Sequence, residues 1–432
     1  MFISRSSLWS NLTCVNADKT RVYFKRSGSS PINLRLRRGL GLSSLYAFLQ
    51  IIPQAICRLK SLSVSTVAGD LQETISYLSH PAPLLETLDI NSGCYDEPPY
   101  YPVLASTIFN GDLSSLRRLH LECVRTELPW KNMANLTSFT LNTSSVGNFG
   151  QLLDFFESAP HLRKIGLLST TLISGGESGR LVSLDHLKKM EIIDCGPTSI
   201  LLDHLVIPVG AKLVSQPDSD TFIIEDHVPN SFDNLNNLSS IAKIHLHLDG
   251  FQPLFVRLSG LYGQFCIMVM QVGIPPSLAL ESLEQFDTSK TKWLRIDSSS
   301  GPLSRDPPYR ALLPMKNLRT LVLSRCTGLL CAFMDVLNPN TSPSKEVVCP
   351  SLEELVLVLR LWKDDEEEFD IRSVIEMAAA RAARGVKLGT VRDKAELDPA
   401  DVLELRKHVL HVEYGPEVDL YEDGSDGSDL ED

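Results

Sequence analysis

Apolar residues recur along this chain in a fixed frame: a leading leucine or isoleucine, two spacer positions, a second apolar residue, one spacer and a third apolar residue. The frame occurs at Leu59/Leu62/Val64, Leu85/Leu88/Ile90, Leu116/Leu119/Leu121, Leu136/Phe139/Leu141, Leu162/Ile165/Leu167 and Leu187/Met190/Ile192, then at Ile241/Ile244/Leu246, Leu318/Leu321/Leu323 and Leu352/Leu355/Leu357. A further segment, Trp293-Leu294-Arg295-Ile296, keeps the last two apolar positions but has Thr291 at the first. The end of each frame alternates with period two, as a strand buried on one face does. Proline at 83, 160 and 350, two residues before the leading leucine, is expected to end a preceding helix and to bias the residue before it toward extended backbone. Helix, stop, strand is thus the expected module.

The middle positions advance by 26, 31, 20, 26 and 25 residues, then 54 and 50, then 27 and 34. The two long steps are about twice the period, so irregular insertions are expected at about 197–237 and 249–290. The second contains LFVRLSGLYGQFCIMVMQV, which reads as a hairpin turning near Gly260 or Gly263. One unit cannot hide its apolar face alone, whereas stacked neighbours can. The frame is the strand signature of leucine-rich repeats. The expected fold is therefore an α/β leucine-rich-repeat solenoid, an arc with a parallel concave sheet, irregular insertions and a helical C-terminal cap.

Domain organisation follows from the ends. Residues 1–58 are expected to form an N-terminal cap, with a strand at PINLRL and a helix over 43–59 that carries Pro53. The Arg35/Arg37 cluster beside that strand reads as a solvated strand face, or alternatively as a localisation signal. Repeats occupy 59–360 and a C-terminal cap 361–415. In this cap a helix starts near Ile371 and stops at Gly385, a second opens with Asp398 as N-cap and Pro399 at the first helical position, and VLHVEYG forms a last strand. The segment 416–432 is too acidic and too poor in apolar residues to order itself.

Charge sharpens this picture. The net charge of −12 is concentrated in eight acids of the last sixteen residues and six in the DDEEEFD run from Asp364, leaving the remainder near neutral. Such a balance argues against nucleic acid, which requires a net basic face. No apolar run is long enough to span a bilayer, and MFISRSSLWSNLTC lacks the apolar region of a signal peptide, so no membrane association and an intracellular, cytoplasmic or nuclear location are expected. The nine cysteines lack zinc spacing and read as reduced thiols, with Cys195 and Cys326, three residues past the third apolar position, in structural turn roles.

Catalytic patterns are sparse. GGESGR at 175–180 misses a nucleophile elbow because Arg180 replaces the final glycine, and no phosphate-binding glycine loop occurs. His245-x-His247 and His408-x-x-His411 could each supply half a metal site, but no third ligand is indicated, and surface or turn histidines are the simpler reading. No cofactor is expected. The informative positions flank the middle apolar residue and point out from the concave face. Arg118, Lys164, Lys189 and Lys243 are expected to form a cationic stripe for an acidic or phosphorylated protein partner, with Trp293 as an aromatic anchor and His120, His245 and Arg295 in the adjacent row. The alternative is a set of solubilising charges, with Trp293 partly buried by the adjoining insertion.

SSLWSNLTCVNADKTRVYFKRSGSSPINLRL, ILLDHLVIPVGAKL, NSFDNLNNLSSIAKIHLHLDG and RLSGLYGQF together resemble the F-box and leucine-rich-repeat proteins expanded in mushroom-forming fungi, over Ser7 to about Tyr414. The resemblance implies the substrate-recognition part of an SCF ubiquitin-ligase receptor. The roughly forty to fifty residues that a helical F-box takes in that family have no room before Trp9. Binding of a Skp-type adaptor is therefore expected only if an upstream F-box exists. The expected function is a non-enzymatic protein-binding module. A free-standing repeat scaffold and a hydrolase with a site across the insertions are the alternatives.

Overall fold

The computed structural model describes residues 6–14, 16–39, 42–93, 101–128, 130, 132–146, 148–171, 179–217, 226–238, 241–248, 254–260, 263–269, 275–298, 304–324, 326–342, 345–358, 371–393 and 397–415. The expected acidic tail and the DDEEEFD run lie outside them. The chain is mixed α/β and divides into two compact units, Met1–Asn237 and Leu238–Asp432.

In the first unit nine strands pair in parallel, each with the next: Asn11–Thr13, Ile32–Leu36, Leu59–Ser65, Thr87–Asn91, Arg118–Glu122, Ser138–Asn142, Lys164–Leu168, Lys189–Ile193 and Lys212–Gln216. The frame sets the register. Leu62, Leu88, Leu119, Phe139, Ile165, Met190 and Leu213 stand opposite one another in turn, and all are buried. These buried residues line one side of the ladder, so each strand hides its apolar face together with its neighbours.

Two turns recur around each strand. At the entry, the N–H of the leading residue donates to the carbonyl three residues back: Leu85 to Ala82, Leu162 to Ala159 and Leu352 to Cys349. Pro83, Pro160 and Pro350 each occupy the second position of this turn, where a fixed φ is favourable. This corrects the helix-stop reading, because the helix Ala68–Ser76 ends well before Pro83 and Thr327–Leu337 well before Pro350. Only the helix Phe149–Ser158 runs close to its proline, Pro160. The turns at Leu116, Leu136 and Leu187 form without proline.

At the exit, Cys123, Thr143, Ser169 and Asp194 adopt positive φ, and their N–H groups each bond the following strand. The next side chain then satisfies carbonyls. Ser144 donates to Leu121 O, Thr170 to Leu168 O, and Cys195 to Leu167 O and Ile193 O at 3.2 and 3.1 Å. Cys326 repeats the pattern in the second unit, to Ile296 O and Ser324 O. The structural role expected of Cys195 and Cys326 is thus shown, with serine and threonine as equivalents elsewhere. The thiol reading needs one correction: Cys123 is disulfide-bonded, so the cysteines are not all reduced.

The expected insertion at 197–237 is part of the ladder. Lys212–Gln216 pairs residue for residue with Lys189–Ile193. Its frame is disguised because Gly210 and Ser215 hold the first and third apolar positions, although Ser215 is fully buried.

In the second unit Lys243–His247, Trp293–Asp297, Thr320–Ser324, Glu354–Val358, Leu388–Asp393 and Val409–Tyr414 pair in parallel in that order. The 249–290 segment holds the expected hairpin. Leu254–Ser259 and Gln264–Val269 are antiparallel, with Gly260 N–H donating to Gly263 O, and the first strand lies antiparallel on Lys243–His247. The expected helices are found at Leu42–Ala55, Ile371–Ala383 and Pro399–His408, the last capped by Asp398 accepting from Ala400 N at 2.7 Å. The C-terminal cap is not only helical, since Leu388–Asp393 and Val409–Tyr414 extend the sheet between and after its helices.

Candidate functional site

Alternation along each strand sends the frame residues into the core and the residues between them to the other face. In the first unit one row on that face runs Thr87, Arg118, Ser138, Lys164, Lys189, Lys212 by direct register. Three lysines are therefore consecutive neighbours, and Arg118 stands one strand away from them across Ser138. Lys212 was missing from the sequence reading because its strand was hidden. Arg118 and Lys164 are exposed, whereas Lys189 is half-buried and its Nζ lies 2.8 Å from Glu191 Oε1. His120, in the adjacent row, lies 3.6 Å from Glu122 Oε2.

The remaining expected residues cluster in the second unit. Lys243 stands opposite Trp293 and His245 opposite Arg295. The Lys243 ammonium sits 5.8 Å from the centre of the Trp293 ring, in cation–π range, and the His245 ring meets that indole edge-on at 6.5 Å. Trp293 is half-buried.

Asp297, which sequence reasoning missed, organises this cluster. It follows the third apolar position directly, and its side chain is only 9% exposed. His245 Nε2 lies 2.5 Å from its Oδ2, and Arg295 Nε donates to both carboxylate oxygens at 3.0 Å. Burial alone would raise the Asp297 carboxyl; the His245 hydrogen bond and the Arg295 charge outweigh it and hold the group below its ordinary range. His245 Nε2 is therefore engaged by the Asp297 carboxylate. Among the described residues no group of three or more histidines, cysteines and acids could hold a metal ion.

The first unit also carries a depression of about 630 Å³ on its open face. Its wall brings Arg118 together with Arg35, Arg37 and Arg38, across the strands at 32–36, 59–65 and 87–91. All four arginines are exposed. Asp89 and Glu122 share the wall. Asp89 accepts from Ser63 Oγ at 2.9 Å, and Glu122 accepts from Asn91 Nδ2 at 2.6 Å. The arginine side of this depression was not anticipated, because the strand carrying Arg35 lies outside the leucine frame.

No helix among the described residues is long and apolar enough to cross a membrane. No protein-family model matches the chain, and no curated protein matches it.

Proposed function

We propose that the chain is a leucine-rich-repeat solenoid that works as a non-enzymatic protein-binding module, its open polar face receiving an acidic or phosphorylated protein partner. The observation that carries this reading is the row Arg118, Ser138, Lys164, Lys189, Lys212, four cations with one serine among them, held in register on the face opposite the buried leucines. Regular strand spacing of about 4.8 Å gives a long acidic segment several charged contacts at once. In the second unit, Trp293 under the Lys243 ammonium supplies the amphipathic anchor that interface hot spots favour. The resemblance to F-box receptors makes the substrate-recognition half of a ubiquitin ligase the biological setting of this proposal, with a Skp-type adaptor engaged through an upstream F-box.

The test has two arms. The chain, with and without the sequence upstream in its genome, is offered to the Skp-type adaptor; binding of the extended form alone supports the receptor setting, and binding of neither points to a free-standing scaffold. Separately, partner binding is compared between the native protein and Lys164→Glu/Lys189→Glu, for which a loss of about tenfold or more is expected. Unchanged binding sinks the cationic-row reading.

A further inference from the structure

We infer that the arginine-walled depression of the first unit is a phosphate-recognition site, taking a phosphorylated serine or threonine side chain of a protein partner. The inference rests on the protein-binding reading above and deepens it, since it places the anion at a specific spot away from the lysines.

Three observations point there. First, Arg35, Arg37, Arg38 and Arg118 converge on one depression from two segments 80 or more residues apart in the chain, so their meeting is a product of the fold. Second, among the described residues no ion pair joins Arg35, Arg37 or Arg118 to a carboxylate. The two acids of the wall are already engaged, Asp89 by Ser63 and Glu122 by Asn91 and His120. Both carboxylates keep their charge, and Arg35, Arg37 and Arg118 alone outnumber them on this wall. Third, the arginine side is closely set: Arg38 lies against Gly93, where an added Cβ would stand 2.6 Å from Arg38 Nη1. Gly93 also has φ +67°, which glycine adopts without strain. No side chain intrudes on the guanidinium from that position.

The choice of arginine favours phosphate over a plain carboxylate. A guanidinium presents a planar fork to two oxygens, and a phosphate dianion offers three oxygens and nearly twice the charge. Ser65 and Thr87, on the same wall, add hydroxyl donors of the kind that complete such a shell. A cavity of about 630 Å³ is within the range of small-ligand sites and accommodates a phosphorylated side chain with its flanking residues. The near-neutral remainder of the chain lacks the extended basic field that a polynucleotide needs.

The experiment measures binding of the full chain to a degenerate phosphoserine/phosphothreonine peptide library, its unphosphorylated counterpart, a glutamate-substituted counterpart, and single-stranded RNA. The native protein is expected to favour the phosphorylated library by at least about tenfold, and the glutamate library less. Arg35→Gln/Arg37→Gln, both exposed and outside the lysine row, should abolish that preference with an unchanged unfolding midpoint. Lys164→Glu/Lys189→Glu should weaken binding yet keep the preference. Equal binding of the three libraries with sensitivity to Lys164 and Lys189 overturns the phosphate site and leaves the protein-binding reading standing. Binding to none of the libraries overturns both. Preferential binding of RNA, or a preference that survives in Arg35→Gln/Arg37→Gln, also overturns the assignment.

Discussion

His245 Nε2 lies 2.5 Å from Asp297 Oδ2, joining neighbouring strands of the second unit through a carboxylate that is almost fully buried. Arg295 Nε donates to both oxygens of the same carboxylate, and its strand stands in register with that of His245. The open face in this region is therefore fixed by an ionic cluster, and Trp293 is held beside it.

This cluster has a pH signature. The Asp297 carboxyl is lowered in the folded protein, so the unfolded chain binds its proton more readily. Its stabilisation is complete above the ordinary value of 3.8 and is lost as pH falls through the lower folded value. Asp297→Asn should cost ~2 kcal/mol near neutrality, leaving Arg295 and His245 without their anion. Urea midpoints of native and variant protein, measured from pH 7 to pH 2.5, should differ by a constant amount down to about pH 4 and converge below it. A difference independent of pH across that range rules the account out.

Arg381 gives a larger effect. Its side chain is completely buried, with Nη1 2.8 Å from Val348 O and Nη2 2.8 Å from Cys349 O. The guanidinium thereby ties the helix Ile371–Ala383 to the turn that precedes the Glu354–Val358 strand. Arg381→Ala removes two charge-assisted bonds and strands their carbonyls, for a loss of about 3–5 kcal/mol. Arg381→Lys should recover less than half, because one ammonium lacks the fork that reaches both oxygens. Equilibrium urea unfolding of the three proteins decides the order.

Much of this architecture was legible because leucines repeat where the strands pair. Each of the nine frames lies on a strand, and Asp398 caps the helix expected after it. The strands at Lys212 and Leu388 were not legible as ladder members, because Ser215 and Asp393 replace the third apolar residue. Both polar residues are buried, and Ser215 is accommodated through Thr198. Arg118, Lys164 and Lys189 could be read from the frame alone, but Lys212 could not. The arginine depression could not, since it depends on Arg35 being brought to Arg118 across two intervening strands. Asp297 escaped notice because its role comes from burial and from two residues on its own and a neighbouring strand.

Thiol reactivity separates structural from exposed cysteines. Burial pushes the Cys195 thiol up to about 11, so at pH 7 only about one in 10⁴ would be thiolate even if it were reached. Cys57 and Cys331 are exposed. Maleimide labelling of the native protein, read by peptide mass spectrometry, should modify Cys57 and Cys331 first and Cys195 and Cys326 only on unfolding. Cys195→Ser should change stability by no more than ~0.5 kcal/mol, because Ser144 already performs the same role two strands earlier, whereas Thr170→Val should cost about 1 kcal/mol.

The buried trio Thr198, Ser215 and His227 supplies a second pH dependence, of opposite origin to that of Asp297. Thr198 Oγ1 lies 3.3 Å from both Ser215 Oγ and His227 Nδ1, and all three residues are buried. Burial lowers the affinity of the His227 imidazole for its proton, and the nearby Asp226 charge offsets this only in part. The folded state thus holds fewer protons here than the unfolded state between the lowered value and the ordinary 6.5. Stability from this group is full above about pH 6.5, declines as pH falls below it, and levels off once the folded imidazole also protonates. Replacement by glutamine keeps a polar side chain but cannot titrate. His227→Gln should therefore lose the slope that opens below pH 6.5, while the acid limb set by Asp297 remains. Chemical-denaturation curves at half-unit pH intervals distinguish the two limbs. If His227→Gln retains the native slope that opens below pH 6.5, the titrating group lies elsewhere.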